Sequence, residues 1–211
     1  MARGESATAT PLHACSIGDY VDDVTAVAGS LPTPPVMIGH SMGGAIVQKY
    51  LEVHDAPAAV LLASVPSYGT RWALARFVRS HPWLTVKSMV TGDTMAVVSS
   101  PARAREFLFS PATPEPLVLE CLARLQQESR RAANVDVLFR DLPRPGRVTA
   151  PLLVLGAEFD GAFPPPEVHA TARAYRTSAE ILPGMGHNMM LEPGWQVVAE
   201  RILRWLGDRD L

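Results

Sequence analysis

The chain predicts an α/β fold, a mostly parallel sheet flanked by helices, and three observations carry that expectation. Four short apolar runs, at residues 35–38, 59–64, 151–156 and 179–182, have the length of strands, and Leu152-Leu153-Val154-Leu155 reads as one buried on both faces. Segments with apolar residues at helical spacing lie between and around them. The 19 prolines fall at strand starts, helix starts and loops, so they punctuate a folded domain and do not form a linker.

In chain order, the first helix opens at Ser16, a residue suited to accept a backbone N–H at a helix start, and continues through Ile17, Asp19, Tyr20, Val21, Val24 and Val27. The apolar run Pro35-Val36-Met37-Ile38 follows and ends at Gly39-His40-Ser41-Met42-Gly43-Gly44. Beyond it, Ala45, Ile46, Val47, Tyr50 and Leu51 again keep helical spacing. After the strand at 59–64, residues 66–145 read as a helical insertion into a core formed by residues 1–65 and 146–211. Helices are expected around residues 72–79 and 84–90. Ser100-Pro101 and Thr113-Pro114 mark two further starts, the second leading to Val118, Cys121, Leu122 and Leu125 on one face. Trp72, Phe77, Trp83, Met89 and Met95 are expected to pack against one another inside this insertion. The strand at 151–156 runs into a turn at residues 157–161, and the strand at 179–182 into a loop at 183–187. Pro193-Gly194 opens a last helix with Val197, Val198, Ile202, Leu203 and Leu206 on its apolar face, and with Trp195 and Trp205 helping it pack on the sheet.

Composition bounds the function. A chain of 211 residues, 47% hydrophobic and 19% charged, can bury a substantial core. Its net charge of -2, without any run of Lys or Arg, gives no electrostatic reason to expect a nucleic acid partner. No signal sequence and no membrane span are visible, so a cytoplasmic location is the default expectation. Cys15 and Cys121 suit reduced thiols better than a disulfide, and no Cys/His spacing suggests a metal, so no cofactor is expected.

Chemistry concentrates at Ser41. Glycines on both sides suit a strained strand-to-helix turn, where a Cβ at Gly39 or Gly43 is expected to collide with the neighbouring strand or helix. The residues around Met42 then stand at a helix N-terminus with free backbone N–H groups, fit to bind an oxyanion. A serine hydroxyl is a weak nucleophile, so it needs a histidine to take its proton and a carboxylate to orient that histidine. Asp160, in the turn after the third strand, is the candidate acid, with Glu158 as its nearest competitor. His187 is the candidate base: of six histidines it alone lies in a glycine-flanked loop after a late strand. All three candidates fall at the C-terminal ends of strands, where open α/β sheets gather their functional groups.

The order Ser41, Asp160, His187, with the segments around them, resembles the α/β-hydrolase family. Residues 38–44 are similar to its nucleophile elbow, 152–160 to the strand and turn carrying its acid, and 183–187 to its histidine loop. The resemblance implies that Ser41 attacks an acyl carbonyl, His187 relays the proton, Asp160 orients His187, and the Met42 amide is one oxyanion donor. It makes the insertion a cap over the nucleophile, and a cap rich in Met, Leu and Phe points to an apolar acyl group in a carboxylic ester or related acyl substrate. The same triad serves acyltransferases, thioesterases and perhydrolases, and a non-catalytic binding module is the alternative from a different class.

One departure from the family stands out. Only 40 residues precede Ser41, too few for the family's first strands and for the loop that supplies its second oxyanion amide. Residues 1–6 resemble the tail of that loop, so the chain is expected to be an N-terminally incomplete member. Its strand at 36–38 then becomes an exposed edge, suited to homo-oligomer formation.

Overall fold

The computed structural model describes residues 10–91 and 98–211, apart from the side chain of Met89. Residues 1–6 and Met95, singled out above, lie outside the described residues. Helix α1 (Ile17–Gly29) leads into strand β1 (Met37–His40), helix α2 (Met42–Tyr50) and strand β2 (Ala59–Leu62). Helices α3 (Arg71–Ser80), α4 (Pro82–Thr91), α5 (Pro101–Leu108) and α6 (Glu115–Arg124), with a π-helical stretch at Ala132–Arg140, precede strand β3 (Leu152–Phe159). Helix α7 (Pro165–Ala174), strand β4 (Ala179–Gly186) and helix α8 (Trp195–Gly207) complete the order.

The four strands form one sheet in the order β1-β2-β3-β4, every pair parallel. Successive side chains of a strand point to opposite faces, and the core divides accordingly. Val60, Leu62, Leu153, Leu155 and Leu182 pack on one face with Val198 and Trp205 of α8. Ala59, Leu61, Leu152 and Val154 pack on the other with Val47 and Tyr50 of α2 and Val168 and Ala172 of α7. Burial on both faces is what the continuous apolarity of β2 and β3 requires.

The helix boundaries follow local chemistry. Ser16 and Asp19 form a reciprocal capping box: the Asp19 N–H donates to Ser16 Oγ (3.1 Å) and the Ser16 N–H to Asp19 Oδ2 (2.7 Å). Ser100 caps α5, with Pro101 at the first helical position as expected. Helix α6 starts one residue later than its sequence suggests, with Pro114 at the cap, because the Thr113 hydroxyl donates to Glu192 instead.

Several expectations are corrected. In α8 the buried stripe is Val198, Ile202, Trp205 and Leu206, while Trp195, Val197 and Leu203 face solvent. Neither Trp72 nor Trp83 packs inside the insertion; both are exposed. The segments expected as a turn at 157–161 and a loop at 183–187 are largely strand. A register shift between Ala157 and Phe159, with Gly184 at φ +72°, lets β4 continue past Pro183, which has no N–H to donate.

Candidate active site

Ser41, Asp160 and His187 each directly follow the last residue of a strand, β1, β3 and β4 respectively. Ser41 has φ 53°, a conformation costly for any residue with a Cβ, and its backbone is held from two sides. Its N–H donates to the Leu62 carbonyl (3.1 Å), and its own carbonyl accepts from Val65 (3.0 Å) and Gly44 (3.0 Å). The turn closes only because a side chain is missing at Gly39, where a Cβ would stand 2.5 Å from the Gly43 carbonyl oxygen. Gly43 itself faces open space, contrary to the sequence expectation. The other constrained position is Gly44, where a Cβ would fall 2.1 Å from Ser64 Oγ as α2 presses on the segment after β2. The Ser41 hydroxyl does not cap α2, and Met42 is the first residue of that helix, where an amide has no intrahelical acceptor.

Asp160 and His187 are both buried and in contact: Nδ1 of the imidazole lies 3.0 Å from each carboxylate oxygen of Asp160. A carboxylate can only accept, so Nδ1 carries the proton and Nε2 keeps its lone pair free to receive one. The backbone N–H groups of Ala162 and Phe163 donate to Asp160 Oδ1, each at 2.8 Å, and fix the carboxylate in its turn. Glu158 is exposed on β3 and accepts from the Gly184 N–H at 2.8 Å, so it does not face the imidazole.

The loop after β4 turns back across the end of the sheet to the elbow. His40, the residue before Ser41, donates through Nε2 to the His187 carbonyl (3.0 Å), and the two rings lie 4.7 Å apart. Burial, reinforced by the nearby His187, pushes the His40 pKa down to about 4, so the ring is neutral at pH 7. Sequence reasoning set His40 aside as part of the elbow; its position beside the serine was the available signal.

A second missed residue is Glu192, almost fully buried. Its carboxylate accepts from the N–H groups of Ser110 (2.6 Å) and Gly186 (3.0 Å) and from the hydroxyls of Ser110 and Thr113. It thereby ties the segment joining α5 and α6 to the residue before His187. A lone carboxylate five positions after His187, in an otherwise apolar stretch, was the only hint in the sequence.

A cavity of about 510 Å³ lies between α3, α4, α5, the π-helical stretch and the turn after Asp160. Leu74, Phe77, Phe107, Leu138 and Phe163 give it an apolar wall, with Thr85 and Asn134 among its polar groups. Phe163 also reaches the candidate pair, its ring 5.7 Å from that of His187. Among the described residues no group of three or more His, Cys, Asp or Glu is placed to hold a metal ion, and no helix is long and apolar enough to cross a membrane.

Comparison with solved structures agrees with this architecture. Rv0554 from Mycobacterium tuberculosis is 22% identical with a TM-score of 0.70, over 92% of this chain and 73% of its own. A thermophilic esterase from Thermogutta terrifontis is 19% identical with a TM-score of 0.67, over the same shares of 92% and 73%. A bromoperoxidase from Bacillus anthracis is 15% identical with a TM-score of 0.65, over 94% of this chain and 77% of its own. At these identities the likeness is one of fold. No curated protein matches the chain in sequence. The model of the alpha/beta hydrolase family matches residues 3–201, nearly the whole length, and with the parallel sheet and the three strand-end residues in place the chain belongs to the alpha/beta hydrolase family.

Proposed function

We propose that the chain is a serine hydrolase that acts through an acyl-enzyme on carboxylic esters with an apolar acyl part. The observation that carries this reading is the buried Asp160–His187 pair, with both carboxylate oxygens 3.0 Å from Nδ1, at the same end of the sheet as a serine held at positive φ. In this reading Asp160 fixes the tautomer, His187 Nε2 takes the Ser41 proton as the hydroxyl attacks the carbonyl, and the Met42 amide donates to the developing oxyanion. His187 then returns the proton to the departing alcohol. Water attacks the acyl-enzyme in the second half, again through Nε2, and releases the acid.

The apolar wall around Phe77, Phe107 and Phe163, which reaches the candidate pair through the Phe163 ring, supports an alkyl or aryl group on the substrate. Helices α3 to α6 take the role of a cap in this reading. Transfer of the acyl group to an acceptor other than water uses the same residues and differs only in the second half-reaction. The edge position of β1, which pairs only with β2 among the described residues and leaves Ile38 54% exposed, supports pairing with a second copy.

Labelling of the purified chain with a fluorophosphonate probe, beside a Ser41→Ala control, tests the proposal. Labelling lost in the control, with turnover of short p-nitrophenyl esters falling to the solvent rate, is the expected result. A folded chain that takes no label would instead support a non-catalytic binding module.

A further inference from the structure

Helix α4 is built inside out. Trp83, Val86 and Val90, at the spacing that would normally face a core, point to solvent, with Trp83 84% and Val90 81% exposed. The polar Thr85 is buried, and Thr85 and Ser88 line the cavity. The neighbouring α3 also exposes Trp72 and Val78 and turns Phe77 towards the cavity. Helices normally place their apolar stripe inwards, so a stripe facing out beside buried polar groups calls for an apolar medium outside.

Charge indicates which medium. From residue 56 to residue 91 the chain has no Asp or Glu, yet it carries Arg71, Arg76, Arg79 and Lys87. Arg76 is spent internally on Glu167 and the Ala162 carbonyl, while Arg71, Arg79 and Lys87 are exposed. A chain with a net charge of -2 thus concentrates exposed cations on the two helices that expose Trp72 and Trp83, with Glu106 of α5 at His81 as a nearby carboxylate. Aromatic rings that seat at the headgroup level and cations that meet anionic headgroups are the two ingredients of interfacial binding.

We propose that the α3–α4 surface docks on a lipid surface bearing anionic headgroups. Docked this way, the outer faces of α3 and α4 sit at the headgroups while their inner faces line the cavity. The surface does not depend on the hydrolase reading, since neither Ser41 nor His187 takes part in it.

Co-sedimentation with vesicles tests the proposal, using phosphatidylcholine alone and equal parts of phosphatidylcholine and phosphatidylglycerol, with tryptophan emission read in parallel. The chain should bind the mixed vesicles with a blue-shifted emission and bind phosphatidylcholine more weakly. The double substitution Trp83→Ala with Val90→Ser should weaken binding about tenfold or more, and Lys87→Glu about fivefold on the mixed vesicles only. Both sets of side chains are exposed, so circular dichroism and melting should stay those of the parent. Ser41→Ala should bind as the parent does, which separates this test from that of the proposed activity. Absence of binding by the folded chain, or unchanged binding by the double variant, would overturn the proposal. So would a dimer that the double variant converts to monomer without any vesicle binding, because the surface would then belong to a second copy.

Discussion

The two halves of the candidate site are supported in opposite ways. At the ends of β3 and β4, Asp160 and His187 are buried, and the carboxylate is satisfied by the imidazole and two backbone amides. Just after β1, a four-residue strand that pairs with one neighbour among the described residues, Ser41 is half-buried. The first half is fixed by hydrogen bonds to both carboxylate oxygens. The second is fixed by steric closure at Gly39 and Gly44 and by three backbone bonds to Ser41. Polar satisfaction positions the Asp160–His187 pair and close packing positions Ser41, so the two should fail under different substitutions.

The largest effect should come from the polar half. Asp160→Asn keeps the shape but offers an N–H where an acceptor is required, and turnover of activated esters should fall about a thousandfold or more. Glu158→Gln should leave turnover within about twofold. The reverse result would move the acid to Glu158.

His40 links the halves, and its effect is one of pH. Its pKa lies near 4 in the fold and near 6.5 when unfolded, so between these values the unfolded chain binds more protons. Stability is therefore complete above pH 6.5 and should fall by on the order of 3 kcal/mol as pH drops towards 4. Urea unfolding of His40→Asn should show a shallower loss over that window. An unchanged slope would assign the loss elsewhere.

Glu192→Gln should cost about 2 kcal/mol in urea unfolding, because the new amide meets donors with donors. Its kcat should fall as the loop before His187 loosens, while labelling of Ser41 by the probe persists. In the steric half, Gly44→Ala should cost about 1 to 2 kcal/mol through the Ser64 clash, whereas Gly43→Ala, in open helical space, should be neutral or slightly stabilising. Smallest of all, Ile38→Lys should change stability by less than about 0.5 kcal/mol and should abolish any dimer formed through β1. A large destabilisation there would mean that the edge is covered.

Much of this was legible in the sequence, for reasons that differ by residue. Ser41, Asp160 and His187 each announce themselves by local punctuation, a glycine or a turn just after an apolar run. The strands β2 and β3 show in their continuous apolarity, and α1 and α5 in their serine caps. What escaped depends on contacts between distant segments. Glu192 matters through Ser110 and Thr113, more than 70 residues away, and its place as a lone carboxylate in an apolar stretch does not reveal those partners. The tightness at Gly44 is set by Ser64, and the apparent tightness at Gly43 was an inference from motif position alone. The outward turn of α4 was hidden because periodicity identifies an apolar stripe but not the direction it faces.

The missing side chains at Gly161 and Gly186 carry a mechanical consequence. A Cβ at Gly161 would lie 2.3 Å from the Glu106 carbonyl oxygen, and one at Gly186 would lie 2.4 Å from the Phe109 carbonyl carbon. The backbone of α5 and the residue after it are thus packed against the loops of both Asp160 and His187, and the Asn188 N–H is bonded to the Leu108 carbonyl at 2.8 Å. Outward movement of the end of α5 would have to break the Asn188–Leu108 bond, so that end is tethered to the residue after His187. At that end α5 is a doorpost anchored to the loop of His187 itself.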